Sequence, residues 1–155
     1  MRVRLVRAGE KDAPALHRMQ AEAFAGLLEK YRDDATNPGA QPVEKVRARL
    51  EQGSTYYYFI RMPGGETVGA IRVVDRQNGE RKRISPLFIL PRYRNLGCAQ
   101  AAIRAVERLH GGENWFLETI LQEKGNCHLY EKMGYRPTGA SRPIRAGMTL
   151  VGYEK

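Results

Sequence analysis

The sequence predicts one α/β or α+β domain built on a mixed sheet, and three observations carry that prediction. The chain has 155 residues, 42% of them hydrophobic and 28% charged, a composition that folds rather than staying disordered. At this length folding removes roughly 68–70% of the unfolded surface, enough for a core without metals or disulfides. Helical periodicity near both ends brackets a central run of strand-like segments from Ser54 to Leu90. No internal repeat, low-complexity tract or linker interrupts the chain, so residues 1–155 read as a single domain.

Each element follows from its residues. Residues 2 to 7 alternate Val3 and Leu5 against Arg2 and Arg4, a strand with one buried face. Asp12 is an N-cap with Pro14 in the first turn. Leu16, Met19, Ala23, Phe24, Leu27 and Tyr31 then recur at helical spacing until Thr36-Asn37-Pro38-Gly39 breaks it. Pro42 opens a second helix with Val43, Val46 and Leu50 on its inner face. Ser54 to Met62 and Thr67 to Asp75 are strands around Pro63-Gly64-Gly65, and Asn78-Gly79 signals a two-residue hairpin into Arg81 to Leu90. Leu96 to His110 is helical, with Ala99, Ala102, Ile103, Val106 and Leu109 on one face. Trp115 to Ile120 is a buried strand, and Glu123 to Met133 a fourth helix ended by Gly134. Strands near Tyr135 to Thr138 and Gly147 to Glu154 close the order β-α-α-β-β-β-α-β-α-β-β.

Composition excludes several classes of function. The longest apolar run, Tyr56 to Ile60, has five residues, against the about 20 a membrane span needs. The N-terminal residues carry no signal-peptide pattern, and Cys98 and Cys127 are too few for a disulfide framework. These features predict a cytoplasmic protein with reduced thiols. His17, His110 and His128 are dispersed, so no metal site is expected. Tyr56-Tyr57-Tyr58-Phe59 alternates faces as a strand and cannot form one stacking platform for bases. The 26 Lys and Arg residues exceed the 17 Asp and Glu, giving a net charge of +9 and implying an anionic ligand or partner. A basic nucleic-acid-binding module is the rival reading, although no GXXG clamp or RNP1-like run is present.

The segment from Ile84 to Ala99 carries the most chemistry. A strand ends at Pro91, a short basic loop follows, and a helix opens near Leu96, where free N–H groups and the helix dipole favour an anion. Gly97 lets a ligand approach the backbone, Ala99 keeps the next turn small, and Arg92 and Arg94 add charge at the mouth. On residues alone, the alternative is that Gly97 relieves crowding and the arginines form a solvated face. Cys98 stands near the helix N-terminus, where a thiolate is stabilised, but no histidine stands ready to activate it, which argues against a covalent acyl-enzyme.

Arg94-Asn95-Leu96-Gly97-Cys98-Ala99 resembles the R/Q-x-x-G-x-G/A loop of the GNAT superfamily of acetyl-CoA-dependent N-acetyltransferases. Leu129-Tyr130-Glu131-Lys132-Met133-Gly134-Tyr135 is similar to that family's LYEKxGF segment, and the element order matches over essentially the whole chain. The family often has Asn seven residues before the tyrosine, where this chain has Glu123.

The resemblance implies a mixed, mostly antiparallel sheet whose central strands splay, acetyl-CoA as co-substrate, and direct transfer to a primary amine of a small molecule or peptide. It implies that Arg92, Arg94, Asn95, Leu96, Gly97, Cys98, Ala99 and Gln100 surround the diphosphate. Phe88, Ile89 and Leu90 would pair with the pantetheine arm as a pseudo-strand, one N–H polarising the thioester, and Asn126 would reach the cofactor from the fourth helix. Tyr130 would protonate the leaving sulfur, although helical spacing alone makes it a core aromatic with Leu129 and Met133. Glu118 is the candidate base, with Phe116 and Ile120 expected to make its face apolar; the alternative is that it points outward or pairs with an arginine. The acceptor pocket is expected from residues 24–42 and 139–147, where Arg142 and Arg145 either favour a carboxylate or phosphate on the acceptor or form a solvated surface. The resemblance also admits a homodimer, or a member that binds acyl-CoA without turnover.

Overall fold

The computed structural model describes residues 1–155. Seven strands form one sheet, β1 (Arg4–Arg7), β2 (Thr55–Arg61), β3 (Thr67–Val74), β4 (Lys82–Ile89), β5 (Trp115–Ile120), β6 (Arg136–Arg145) and β7 (Met148–Glu154). Their order is β1-β2-β3-β4-β5-β7-β6. All neighbours run antiparallel except β4 and β5. Four helices complete the fold, α1 (Ala13–Tyr31), α2 (Val43–Glu51), α3 (Cys98–His110) and α4 (Lys124–Lys132). No helix is long and apolar enough to cross a membrane.

The alternation along β2 divides the core between the two faces of the sheet. Tyr58 and Ile60 pack with Ile103 and Val106 of α3, Trp115 and Leu117, and Cys127 of α4. Tyr57 faces the other way, with Leu16 and Ala23 of α1, Val46 of α2 and Phe88. Tyr56 and Tyr58 therefore share one face and Tyr57 the other, as a period of two requires. Burying each of the fully enclosed Ile103 and Val106 side chains contributes about 1.5–3 kcal/mol.

Five expectations are corrected by local geometry. The β3–β4 connection is the seven-residue loop 75–81 rather than a two-residue turn, because Asp75 and Asn78 accept the N–H groups of Gln77 and Glu80, and Asn114 donates to the Gly79 and Glu80 carbonyls. Leu109 is 62% exposed. His110 takes the inner position one turn beyond Val106, bonded to Asp75 at 2.9 Å and to the Tyr58 hydroxyl at 2.8 Å. Asp12 makes no cap to its own helix, its carboxylate instead accepting Gly9 N–H. Helix α1 stops at Arg32, in the left-handed region, before Thr36. Strand β6 runs on to Arg145, well past Thr138.

Candidate active site

β4 and β5 are registered only at Lys82 with Trp115 and Arg83 with Phe116. Beyond these pairs the strands part, and the gap between them is the centre of the site. Gly69 fixes the other edge of β4, since a Cβ there would lie 2.1 Å from the Phe88 carbonyl oxygen. Leu90 N–H bonds back to Val68 at 2.8 Å. By strand alternation Phe88 also faces β3, and the Ile89 peptide groups face the gap. Arg94 Nε donates to the Ile89 carbonyl at 3.1 Å, which leaves the Ile89 N–H as the donor directed into the opening.

At the end of β4, Pro91–Tyr93 form a 3-10 turn, followed by Asn95 at φ +62° and Gly97 at φ +84°. Gly97 precedes α3 without any side-chain cap, so the N–H groups of Cys98, Ala99 and Gln100 have no partners within the helix. A Cβ at Gly97 would meet only Met1, at 3.9 Å. Conformation, not crowding, is what favours glycine there.

The arginines of this loop depart from expectation. Arg94 also donates through Nη2 to the Ala23 carbonyl at 2.6 Å, tying the loop to α1, and Arg92 pairs with Glu22 at 3.0 Å. Both side chains hold the loop in place instead of standing free at its mouth. Cys98 is 2% exposed, and burial pushes its thiol up, against the stabilised thiolate its helix position suggested.

On the other side of the gap lies a cavity of about 350 Å3. It is walled by α1 and the loop after it, α2, β4, β5 and α4. Tyr130 lines it from α4, edge-on to Tyr135 at 6.1 Å between ring centroids. Burial and the nearby Cys127 push its hydroxyl up to about 12. Neighbouring tyrosine hydroxyls are engaged, Tyr135 by Glu107 and Tyr153 by Glu131, whereas the Tyr130 hydroxyl takes no protein hydrogen bond and faces the cavity. Asn126 lines the same cavity. Glu123, at the expected asparagine position, accepts from Lys30 at 2.8 Å and from Tyr31 at 2.5 Å. Burial raises its carboxyl, but these bonds and the Lys30 charge outweigh it and hold the group low. The side chain thus fastens α4 to the end of α1.

Glu118 also lines the cavity, but not among apolar side chains. Its Oε1 accepts from both Arg83 and Arg142, each at 3.1 Å. An argument for a base resting on apolar burial does not hold, because the cationic ends of β4 and β6 meet β5 at this point. Oε2 is bound by neither arginine.

Of the expected acceptor segments, residues 24–42 supply much of the wall and 139–147 supply Arg142. Arg145 reaches the Arg32 carbonyl instead. The sequence reading missed Lys45 and Arg49 of α2 and Arg83 of β4. A signal existed for Arg49, three residues beyond the inward Val46. Arg49 contacts only a neutral oxygen, Gln41 Oε1 at 3.3 Å, and burial, with Arg83 close by, lowers its pKa. Behind β4, Arg72 is 7% exposed. It donates to the Ser85 carbonyl at 2.7 Å and to Gln52 at 3.4 Å, and its Nε has no partner. Burial, reinforced by Arg49, brings Arg72 down to about 10.

Comparison with known proteins bears on this geometry. A family model described as "Acetyltransferase (GNAT) domain" matches residues 19–155. No curated protein sequence matches the chain significantly. Among solved structures, spermidine N-acetyltransferase from Vibrio cholerae, in complex with CoA and spermine, superposes with a TM-score of 0.77 at 11% identity, covering 98% of this chain and 94% of that one. The ribosomal-protein-S18-alanine N-acetyltransferase from Escherichia coli gives 0.73 at 12% identity over 97% and 91%. An acetyltransferase from Thermus thermophilus gives 0.72 at 19% identity over 100% and 97%.

Proposed function

The chain belongs to the GNAT acetyltransferase family and is an N-acetyltransferase, and from that premise we propose that it moves acetyl from acetyl-CoA directly to a primary amine. The observation that carries this reading is the parting of β4 from β5, with a donor N–H at its edge and Tyr130, its hydroxyl unengaged, lining the adjoining cavity.

The residues present fit the co-substrate. Three unpaired N–H groups and an uncapped helix N-terminus after Gly97 suit a diphosphate. The open edge of β4 suits an extended, amide-bearing arm. When bound, acetyl-CoA supplies the activated acetyl group. The chain's own groups do the rest. Residues Asn95 to Gln100 hold the diphosphate, while Arg94 and Arg92 brace that loop. The Ile89 N–H donates toward the thioester oxygen. Asn126 borders the path from α4. Tyr130 keeps its proton at every working pH. It is a weaker acid than the thiol it serves, near ~8.5, so it keeps its proton and donates a hydrogen bond that stabilises the leaving sulfur as thiolate, which takes its proton from solvent. Glu118 Oε2 accepts a hydrogen bond from the entering amine and then its proton.

Thermal unfolding tests the reading. Acetyl-CoA at about 100 times its Kd should stabilise the wild type by about 2.7 kcal/mol. Gly97→Val should remain folded and show no such rise, because valine is strained at that φ and its side chain covers the N–H groups. No shift in the wild type, with polynucleotide binding on a steep salt slope, overturns it.

A further inference from the structure

We propose that the acceptor is a small amine carrying an anionic group, a carboxylate or phosphate, which rests on Arg49 with Arg83 beside it. This rests on the acetyltransferase reading and names its substrate class.

The charges lining the cavity are Lys45, Arg49, Arg83 and Arg142 against Asp33 and Glu118. Both acids are engaged. Asp33 accepts the Thr36 N–H at 3.1 Å and the Thr36 hydroxyl, and Glu118 holds Arg83 and Arg142. No carboxylate pairs with Arg49, Lys45 or the enclosed Arg72 behind them. Partly desolvated guanidinium groups without a counter-charge are costly. An anion brought by the ligand would offset that cost and accept from the guanidinium fork.

The same field sorts amines. A polyamine brings two or more ammonium groups to an already cationic wall and is repelled. An amine with its own carboxylate is neutral overall and one with a phosphate is net negative, so either enters without that penalty. Once inside, the nearby cations disfavour the ammonium form, which eases the loss of its proton to Glu118. About 350 Å3 suits a ligand the size of an amino acid.

The test compares L-amino acids with their α-amides, phosphoethanolamine with ethanolamine, and spermidine. Acetylation is followed by thiol release at saturating acetyl-CoA, and binding by calorimetry on protein saturated with CoA. At least one acid should exceed its amide by about tenfold or more in kcat/KM and in affinity, with spermidine below both. A preference confined to the phosphoethanolamine pair identifies phosphate as the anion, and one confined to the amino acids identifies carboxylate. Arg49→Gln should bring the acid-to-amide ratio near one, and Arg49→Lys should restore part of it, with melting temperatures confirming folded variants. Equal acid and amide in every pair, a preference for spermidine, or a ratio unchanged in Arg49→Gln overturns the inference. Acetyl-CoA binding without binding or acetylation of any acid overturns it alone, whereas failure of acetyl-CoA to bind removes the acetyltransferase reading itself.

Discussion

On the cofactor side of the gap, Arg92 and Arg94 are bound to Glu22 and to two backbone carbonyls. On the acceptor side, Arg49 and Arg72 meet only neutral oxygens. Both sets are arginines beside an expected anion site, yet they do different work. In the loop, backbone N–H groups are left free at the start of α3 and the arginines hold that backbone in shape. In the cavity the side chains themselves are the uncompensated charges. A basic residue therefore marks an anion site only where the fold has not already supplied its partner.

The largest expected effect lies between the two regions, at Tyr130. Tyr130→Phe should lower kcat by roughly 10- to 1000-fold with little change in KM for acetyl-CoA. Because its hydroxyl is held up to about 12, the wild-type rate should show no alkaline loss from this group through about pH 11. The unfolded chain's tyrosines, near ~10, release protons first, so folding stability should fall as pH rises from 10 toward 12. An unchanged kcat, with chemistry shown to limit the rate, returns Tyr130 to the core.

A smaller effect separates the cavity's engaged acid from its unengaged cations. Glu118→Gln should cut the rate at pH 7 by about tenfold and recover as pH nears the amine's own pKa. A profile of identical shape in wild type and variant would leave Glu118 only as the anchor of Arg83 and Arg142.

The smallest effects test the loop arginines. Arg94→Gln should weaken acetyl-CoA binding several-fold, by loosening the loop, while leaving the salt dependence of binding unchanged. Arg92→Gln, exposed and paired at the surface, should change affinity by less than twofold. A reduced salt slope in either variant would mean that its side chain touches the diphosphate directly, and the contrast between the two regions would break.

Much of this was legible in the sequence because it is local. Helical periodicity, the glycine before α3, the alternation of β2 and the order of elements depend on neighbours within a few residues. So does the loop before α3, whose free N–H groups belong to a helix start that Gly97 permits. Tertiary structure decided the rest, where partners lie far apart along the chain. The sequence could not say that Arg94 turns back to Ala23, 71 residues away, or that Glu118 meets Arg83 and Arg142 rather than apolar neighbours. It could not say that His110 displaces Leu109 from the inner face, since Tyr58 on β2 and Asp75 in the loop after β3 together settle that choice. Nor could it show that Arg49 and Arg72 lack acids, because a charge is compensated by whatever the fold brings within a few ångströms, and spacing along the chain carries no record of that distance.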